Sequence, residues 1–403
     1  MIDIVDLHIH SHYSMATSKN MDIDNIALWA RKKGVTIIGA GDIMHPLWQK
    51  ELRDKLTDLK NGFFEFEGIK FVLSGEVSLV YKKNGKVRKI HLIVTVPDFK
   101  TLYEVSDVLK KFGNLETDGR PTLFTDAERF SEELFKISDA VYIIPAHIWT
   151  PWFGLFGSKS GFDSIEECFG DESERIFALE TGLSSDPGMN YIVRNIDRFT
   201  LVSNSDAHSP ENIAREANVI KDVGSYEDLF DVIKNADKNR FMFTIEFFPE
   251  EGKYFGDGHR KCGVHVLPEK NEKAICSVCK KPLTYGVYHR VMEVANWTNS
   301  ERKNKKLPYR HVIPLKEILS VVSGKGKKTK TVSVLYDAVL DAFGSELNAL
   351  LFAPTDELYE KLDKDIADAI CMMREEKVEK QYGYDGVYGK ITLKGRKSVG
   401  LFG

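Results

Sequence analysis

The sequence predicts an α/β fold over its first 245 residues, then a small loop-rich module and a helical C-terminal region. Short runs rich in Val and Ile alternate with amphipathic stretches in residues 1–245. Gly, Pro, Lys and Cys become frequent in residues 246–300. Apolar residues at helical spacing return after Pro308 and predict helices over residues 315–322, 332–343 and 355–377. We therefore predict a catalytic region at residues 1–245, a metal-binding module at 246–300 and a helical region at 301–403.

The N-terminal elements illustrate the alternation. Residues 23–33 place Ile26, Ala27 and Ala30 on one side of a helix, and residues 35–39 form an apolar run typical of a strand. Acidic or histidine residues then occur in or directly after four further β-like runs: Glu76, His91, His147 and Asp206. In a barrel of parallel strands the strand ends meet on the face that carries the chemistry, so we expect these side chains to converge.

The opening motif is the strongest single signal. Asp6-Leu7-His8-Ile9-His10-Ser11 places two histidines two residues apart, and on a strand such residues share a face. Two neighbouring imidazoles can chelate one metal ion, although a lone His-x-His pair is more often an ordinary surface or core feature. Together with the later strand-end residues, the motif predicts a multi-metal hydrolytic site.

Composition limits the class of protein. The chain has 403 residues, 42% hydrophobic and 29% charged, which is ordinary for a soluble globular protein. No apolar run is long enough to span a bilayer, and acidic Asp3 and Asp6 stand where a signal peptide would be basic. Five Cys with one Cys-x-x-Cys pair indicate a reduced compartment. We expect a cytoplasmic, nucleoid-associated protein with no membrane partner.

Charge is distributed unevenly along the chain. From Glu246 onward there are 27 Lys and Arg against 22 Asp and Glu, whereas the preceding residues carry 29 against 38. An acidic metal-binding region joined to a basic region suits a hydrolase of polyanions. Chance unevenness is the alternative.

The module at residues 246–300 predicts a structural zinc site. Cys276 and Cys279 have the spacing that holds one zinc ion on a tight turn, and Cys262 supplies a third thiolate. The fourth ligand is His259 or His265. A redox Cys-x-x-Cys is the alternative, but it needs a strand-to-helix context that is missing here.

The strand-end motifs resemble those of the PHP (polymerase and histidinol phosphatase) superfamily of metal-dependent phosphoesterases. The motifs are Asp6-Leu7-His8-Ile9-His10-Ser11, Gly75-Glu76, His147 and Ser205-Asp206-Ala207-His208. The resemblance implies a distorted seven-stranded β/α barrel. It implies one metal held by His8, His10, Glu76 and Asp206, and a second held by Glu76, His91 and His147. A third metal would use His208. The family's Thr-Asp-His motif is replaced here by Gly41-Asp42-Ile43-Met44-His45, so Asp42 or His45 would act in its place.

Longer motifs resemble the endonuclease Q family over most of the chain. They are Pro145-Ala146-His147-Ile148-Trp149-Thr150-Pro151-Trp152, Glu180-Thr181-Gly182-Leu183-Ser184-Ser185-Asp186-Pro187, and Asp257-Gly258-His259-Arg260-Lys261-Cys262 with the following Cys276-x-x-Cys279. The resemblance favours His259 as fourth zinc ligand. It implies a DNA-repair enzyme that nicks DNA 5′ of uracil, hypoxanthine, xanthine or an abasic site.

The expected chemistry is hydrolysis by metal-activated water. Paired metal ions provide hydroxide near neutral pH and neutralise charge on the phosphoryl oxygens. Asp206 takes part as a ligand, and Asp42 or His208 assists as a proton shuttle. Zinc is expected in the structural site and in the catalytic site, where Mg²⁺ or Mn²⁺ are alternatives.

A lesion base must be flipped out of the duplex, so the site needs a stacking pocket. The segment after His147 supplies Trp149, Trp152 and Phe156, and Ser184 is a further pocket residue. The alternative for the aromatic residues is a satellite hydrophobic cluster beneath a long loop.

Basic residues near the C-terminus predict contacts with the DNA backbone. Residues 323–328 loosely resemble a helix-hairpin-helix turn, in which Lys325, Lys327 and Lys328 add charge, and residues 302–310 form a second basic cluster. A solvated basic loop is the alternative. The final residues, with Leu401-Phe402, resemble peptides that dock on a sliding clamp, and a frayed tail is the alternative.

Three functions are compatible with these features. The first is a lesion-directed endonuclease acting on DNA with deaminated bases. The second is a PHP-type phosphatase of a small phosphate ester, which would not need the zinc module, the basic region or the aromatic segment. The third is a non-catalytic DNA-binding or scaffold protein, which would not need the full set of ligands.

Overall fold

The computed structural model describes residues 1–268, 275–295 and 306–395. The strands of the first 245 residues, with one reaching Glu246, are β1 (Ile2–Asp6), β2 (Ile37–Gly39), β3 (Thr57–Asp58), β4 (Phe64–Phe66), β5 (Ile69–Lys83), β6 (Lys86–Val96), β7 (Thr122–Leu123), β8 (Tyr142–Pro145), β9 (Ala178–Glu180), β10 (Thr200–Val202), β11 (Ala217–Lys221) and β12 (Phe241–Glu246). The helices of the same region are α1 (Ile23–Lys33), α2 (Pro46–Lys55), α3 (Phe99–Leu109), α4 (Ala127–Phe135), α5 (Ile165–Phe169), α6 (Pro187–Asn190) and α7 (Tyr226–Asn235).

The remainder of the chain is richer in helix. Its strands are β13 (Asp257–His259), β14 (Val264–Val266), β15 (Tyr309–His311), β16 (Val378–Gln381) and β17 (Lys390–Leu393). Its helices are α8 (Val287–Val294), α9 (Leu315–Ser323), α10 (Lys330–Phe343), α11 (Thr355–Lys361) and α12 (Lys364–Arg374). The basic residues 302–305 and the clamp-like residues 396–403 lie outside the described residues.

Helix α1 matches its prediction at both ends. The Asp22 side chain accepts a hydrogen bond from the Asn25 N–H and caps the start, while Gly34 adopts a left-handed conformation and ends the helix. Its buried face contains the predicted Ile26, Ala27 and Ala30. The helices predicted at residues 315–322 and 332–343 are confirmed as α9 and α10.

The helix predicted over residues 355–377 is wrong as a single element. The chain forms α11 and α12, separated by an extended Leu362 (φ −122°, ψ 158°) and by Asp363, which precedes α12. The break divides the apolar stripe between two shorter helices, so that Leu358 is buried from one and Ile366 and Ile370 from the other. Residue 377 lies beyond the end of α12, next to the hairpin of β16 and β17.

The main sheet has the order β15-β12-β11-β1-β2-β5-β4-β3, and β6 extends it by pairing with β5 and β8. The sequence suggested that a strand ends just before Glu76. In the structure β5 continues through Glu76 to Lys83. The continuation is possible because Asn84 and Gly85 both have positive φ, so a two-residue turn leads directly into β6. Glu76 and His91 therefore project from one long hairpin.

Strands β9 and β10 form a separate parallel pair. Side chains connect it to the main sheet: the Ser203 hydroxyl donates to the Ile245 carbonyl (2.9 Å), and the Asn218 amide donates to the Ser203 carbonyl (2.7 Å). The coarse prediction of a mixed α/β fold is confirmed, whereas the seven-stranded barrel stays a prediction.

The C-terminal region packs on the α/β region. Strand β15 pairs with β12, and one apolar cluster contains Ile26 of α1, Ile318 of α9 and Ile370 of α12. The buried Lys33 ammonium also binds the Glu346 carboxylate (2.8 Å). No helix within the described residues is long and apolar enough to cross a membrane.

Candidate metal centres and substrate surface

Four side chains from three parts of the chain converge after β1, in β5 and after β10. The ligand atoms of His8, His10, Glu76 and Asp206 all lie within 4.8 Å of one another. The His10 Nε2 atom is 3.1 Å from Asp206 Oδ1 and 3.3 Å from Glu76 Oε2. Among the described residues the buried His8 Nε2 has no hydrogen-bond partner, which fits a ligand nitrogen aimed at a cation.

A second group shares Glu76. The other carboxylate oxygen, Oε1, is 2.7 Å from His91 Nδ1 and 2.9 Å from His147 Nε2. Burial alone would raise the pKa of Glu76, but the positive charge of His91 and His8 holds it well below its usual range. A bridging carboxylate between two sets of imidazoles is a donor arrangement for two neighbouring metal ions.

A layer of buried polar groups orients these ligands. Both Glu180 oxygens lie within 3.1 Å of His8 Nδ1, and Glu180 Oε2 also accepts the His147 N–H (2.8 Å). The Thr150 hydroxyl contacts His147 Nδ1 (3.0 Å). Such contacts fix the tautomer and direction of ligand imidazoles. The role of Glu180 was not predicted. Its only signal in the sequence was its place at the start of the motif over residues 180–187.

Asp42, predicted as catalytic, has an orienting position in this structure. It is fully buried, its Oδ1 lies 2.9 Å from His10 Nδ1, and its Oδ2 accepts from the Ser11 N–H and hydroxyl (2.6 Å each). Against the effect of burial, the charge of His10 lowers the pKa of Asp42. Asp42, His147 and Asp206 also have positive φ, an uncommon backbone conformation that is concentrated at functional sites.

Arg120 is a residue that the sequence interpretation missed. Its guanidinium donates to Glu76 Oε2 (3.1 Å), and its side chain is 25% exposed. A side chain at Gly119 would place Cβ 2.3 Å from Asp42 Oδ2, so glycine permits this close approach of the loop. The available signal was the Asp118-Gly119-Arg120-Pro121 sequence, whose position beside the ligands depends on the tertiary fold.

The two remaining histidine candidates, His208 and His45, lie outside both groups. The His208 ring packs 4.4 Å from the His10 ring, and its Nδ1 contacts the Asp206 carbonyl (2.9 Å). His45 stacks on Tyr13 and contacts the Glu116 carbonyl (3.2 Å). Within the described residues these two rings do not form a third ligand group with the acids, and the third metal stays a prediction.

Asp6 is a structural residue of the opening motif. Its carboxylate accepts hydrogen bonds from the Ser205 and Ala214 N–H groups (3.1 and 3.0 Å). Burial raises its pKa to about 6, although these hydrogen bonds oppose the shift. Asp6 thus ties the loop that carries Asp206 to the end of β1.

The Cys-rich module brings its four predicted ligands together. The ligand atoms of His259, Cys262, Cys276 and Cys279 lie within 4.8 Å of one another, and Cys279 Sγ is 3.3 Å from His259 Nδ1. Hydrogen bonds from the backbone, chiefly the Cys279 N–H, lower the pKa of Cys276 to about 6. His265 instead stacks on Tyr384, with ring centroids 4.3 Å apart. The donor set fits a four-coordinate metal site.

The predicted lesion residues differ in exposure. Trp149 and Phe156 are buried and pack together (4.9 Å between centroids), and the Trp149 indole donates to Asn190 (2.7 Å). Trp152 is 54% exposed, and Ser184 is half-buried. Of the three predicted aromatic lesion residues, Trp152 is the one that presents a large surface to solvent.

The three predicted lysines of the basic loop between α9 and α10 also differ in exposure and pairing. Lys325 and Lys328 are exposed, whereas the Lys327 ammonium binds Glu317 (3.1 Å). Two residues shape the backbone of this loop: Gly324 ends α9 in a left-handed conformation, and Thr329 caps the start of α10. Lys325 and Lys328 are therefore the two lysines available to a phosphate.

Comparison with known proteins gives a partial family match at the C-terminus. Residues 314–377 match the model of the MJ0043 C-terminal domain. The uncharacterized protein MJ0043 of Methanocaldococcus jannaschii is 34% identical over 256 residues, which is 62% of this chain but 32% of MJ0043. The uncharacterized protein YqxK of Bacillus subtilis is 28% identical over 406 residues, covering 96% of this chain and 98% of YqxK.

Two solved structures match over nearly the whole chain. The lesion-specific endonuclease PfuEndoQ from Pyrococcus furiosus is 31% identical with a TM-score of 0.85, covering 98% of this chain and 96% of that one. An endonuclease Q in complex with a 27-mer duplex substrate, with an abasic lesion at the active site, is 31% identical with a TM-score of 0.83, covering 98% and 99%. Identity at this level over the full length means that the chain belongs to the endonuclease Q family.

Proposed function

We propose that the protein is a metal-dependent DNA endonuclease that hydrolyses the phosphodiester bond 5′ of a deaminated base or an abasic site. The observation that carries the proposal is the position of Glu76, whose two oxygens face two groups of imidazole ligands. The similarity to an endonuclease Q bound to a duplex with an abasic lesion supports DNA as substrate. Uracil, hypoxanthine and xanthine are the deaminated bases that we expect it to accept.

The cofactor proposal follows from the ligands. His8, His10, Glu76 and Asp206 would hold one metal ion, and Glu76, His91 and His147 a second. Metal ions there supply water activation near neutral pH and charge neutralisation at the phosphoryl group. We assign zinc to the Cys262, Cys276, Cys279 and His259 group, and Zn²⁺, Mn²⁺ or Mg²⁺ to the catalytic groups.

The residues around the two groups have separate tasks. Glu180 and Asp42 hold the ligand rings of His8 and His10 in position. The Arg120 guanidinium, next to Glu76 and partly exposed, would donate to a non-bridging oxygen of the phosphodiester and stabilise the charge that grows on it.

His208 is better placed than Asp42 to move a proton. Its side chain is 30% exposed, and burial together with the charge of His10 lowers its pKa, which favours the neutral ring. A neutral imidazole can accept a proton or relay one through water. Asp42 is fully buried and already occupied by His10 and Ser11. We assign the shuttle to His208.

The proposal also includes the organisation of the chain. We propose that residues 1–245 form the distorted seven-stranded barrel, that residues 246–300 form the zinc module and that residues 301–403 contribute to DNA binding. Exposed Trp152, Lys325 and Lys328 support a DNA-facing surface. A flipped lesion base would require a pocket beside the metal ligands.

The test uses end-labelled duplexes that carry one uracil, hypoxanthine, xanthine or abasic site, or no lesion. They are incubated with the protein and Mg²⁺, Mn²⁺ or Zn²⁺. We expect one nick directly 5′ of the lesion that is absent in Asp206→Ala. No lesion-dependent nick with any metal, combined with hydrolysis of p-nitrophenyl phosphate, would instead identify a small-ester phosphatase.

A further inference from the structure

A basic groove lies beside the metal ligands, between the start of β6 and the loop that follows His147. Its volume is about 740 Å³, and it is lined by Lys86 and Lys89 of β6, by Trp152 and Lys159 of the loop, and by Arg290 of α8. Lys86, Trp152 and Lys159 are exposed, and Lys89 is half-buried. None of these lysines was part of the predicted DNA surface.

The groove contains two sets of charged side chains, namely carboxylates paired with arginines, and lysines without such a pairing. Its three carboxylates are paired with arginines: Arg290 binds Asp163 (2.5 Å) and Glu293 (2.6 Å), and Arg88 binds Glu167 (3.0 Å). The three lysines have no carboxylate partner within residues 1–268, 275–295 and 306–395. With five Lys and Arg against three Asp and Glu, the lining of the groove carries a net charge of +2, which attracts a polyanion.

The groove lies next to the second ligand group, to which Lys89 and Phe153 connect it. Lys89 and His91 are two residues apart on β6, so they share a face about 7 Å apart. The Phe153 ring packs 4.4 Å from the His91 ring, and the His91 N–H donates to the Phe153 carbonyl (2.8 Å). The Lys89 ammonium lies 5.3 Å from the Trp152 ring centroid and 5.4 Å from that of Phe153.

The loop that forms one wall is held in place from two sides. The Arg290 guanidinium donates to the carbonyls of Phe156 (2.9 Å) and Phe162 (3.0 Å). At Gly157 a side chain would place Cβ 2.3 Å from the Thr150 carbonyl, so the loop is folded tightly on itself. The wall is thus preorganised, and ligand binding does not have to order it.

We propose that this groove binds the sugar–phosphate backbone of the DNA strand next to the scissile bond. Phosphates contact Lys86, Lys89 and Lys159, and the exposed Trp152 face stacks on a base or sugar of the same strand. The inference deepens the proposed function, since it rests on DNA as the substrate. A row of lysines beside an aromatic face suits a nucleic-acid strand better than a small anion, which needs one compact pocket.

The test measures DNA affinity of the full-length protein by fluorescence anisotropy, with a labelled duplex containing an abasic-site analogue, between about 0.05 and 0.2 M salt. Lys86→Ala/Lys89→Ala/Lys159→Ala should bind at least about 10-fold more weakly. The slope of log Kd against log salt should fall by about 2 to 3, since each lost phosphate contact removes about 0.9.

A matched control removes the same charge elsewhere. Lys100, Lys110 and Lys136 are exposed on or beside α3 and α4 and bind carboxylates nearby. Their triple alanine variant should keep the wild-type affinity and slope. Equal losses in both variants would mean that only net charge matters, and an unchanged groove variant would remove the groove from the DNA path. Either result overturns the inference.

The measurement separates the groove from the proposed function. Absence of nicking by the wild-type protein would remove the endonuclease assignment, and anisotropy would still decide whether the groove binds DNA. If the wild-type protein nicks DNA and the triple groove variant binds DNA as tightly as wild type, the endonuclease assignment stands and the groove proposal is overturned. Trp152→Ala is the second variant: it removes no charge, so it should weaken binding and leave the salt slope unchanged.

Discussion

The two kinds of ligand cluster in this protein differ in what surrounds them. The His8, His10, Glu76 and Asp206 group is deeply buried, its rings are oriented by Glu180 and Asp42, and one side stays accessible through Asp206, which is 26% exposed. The Cys262, Cys276, Cys279 and His259 group sits on short turns and provides four ligands within itself. Structural sites are closed in this way, whereas catalytic sites keep an open position.

The difference shows where each site obtains its rigidity. The ligands of the first site come from within β5 and β6 and from the loops after β1, β8 and β10, so an outer layer of hydrogen bonds is needed to fix them. The Cys-rich ligands come from two short segments, and a bound ion would itself hold these together. Removing a ligand from the first site should therefore affect chemistry, and removing one from the second should affect folding.

The largest effect should come from Glu76→Gln. An amide can contact a metal with one oxygen only, so it cannot serve both ligand groups, and we expect nicking to fall by at least about 1,000-fold. Metal analysis should show loss of the catalytic ions and retention of the ion in the Cys-rich site. A nicking rate within about 10-fold of wild type would contradict the bridging role.

Arg120→Ala tests the accessible side of the His8, His10, Glu76 and Asp206 group, where the substrate would bind. Loss of one preorganised donor to a phosphoryl oxygen should lower the rate of nicking by about 100-fold under single-turnover conditions. Metal content and DNA affinity should change little, because Arg120 is not a ligand. Arg120→Lys keeps the charge without the fork geometry and should fall between wild type and Ala.

Cys276→Ser tests the closed site. We expect one fewer bound metal ion, a lower melting temperature, and nicking reduced by about 10-fold. The loss of activity is indirect: α8 of this module carries Arg290, which supports the loop next to His147. Cys168→Ser is the matched control, since that buried thiol lies outside the ligand group. Full activity in the metal-depleted Cys276→Ser protein would show that the module does not support the catalytic region.

The stability of the protein should depend on pH through the junction between the α/β region and the C-terminal region, where β12 pairs with β15. Burial raises the pKa of Glu246, the last residue of β12, to about 8. The folded protein then keeps a proton that the unfolded chain loses above about pH 4.5, so stability falls as pH rises from about 4.5 to 8. Gln cannot ionise, so Glu246→Gln should lose this dependence.

Thermal unfolding at pH 5.5 and pH 8 measures the effect. The melting temperature of Glu246→Gln relative to wild type should rise by at least about 2 °C between the two values, which corresponds to about 1 kcal/mol. Thr181 and Thr244 hydroxyls donate to Glu246, so the variant should be less stable than wild type at pH 5.5. A constant difference across the pH range would mean that Glu246 is ionised in the folded protein.

Much of the site could be anticipated because its ligands occupy short motifs. The histidines of the opening motif and the Cys-x-x-Cys pair are local signals of this kind. Arg120 and Glu180 could not be assigned in this way, since their roles depend on loops that approach the ligands only in the folded protein.

The fold shows the same limit. The capped α1 was predictable from local residues, whereas the break at Leu362 and the burial of Trp149 and Phe156 depend on packing against other elements. An aromatic-rich loop could equally cover a core or face a ligand, and in this chain Trp152 is its exposed member while Trp149 and Phe156 cover the core.

The long hairpin of β5 and β6 has a consequence for how the site is assembled during folding. Its two-residue turn makes the pairing local, and hairpins of this kind form within microseconds. Glu76 and His91 would then be neighbours before Asp206 arrives from more than a hundred residues away, because distant pairings close slowly. We expect amides of this hairpin to gain protection from hydrogen exchange earlier in refolding than those of β10. The carboxylate shared by the two candidate ligand groups would thus be the first part of the proposed catalytic centre to reach its native neighbours.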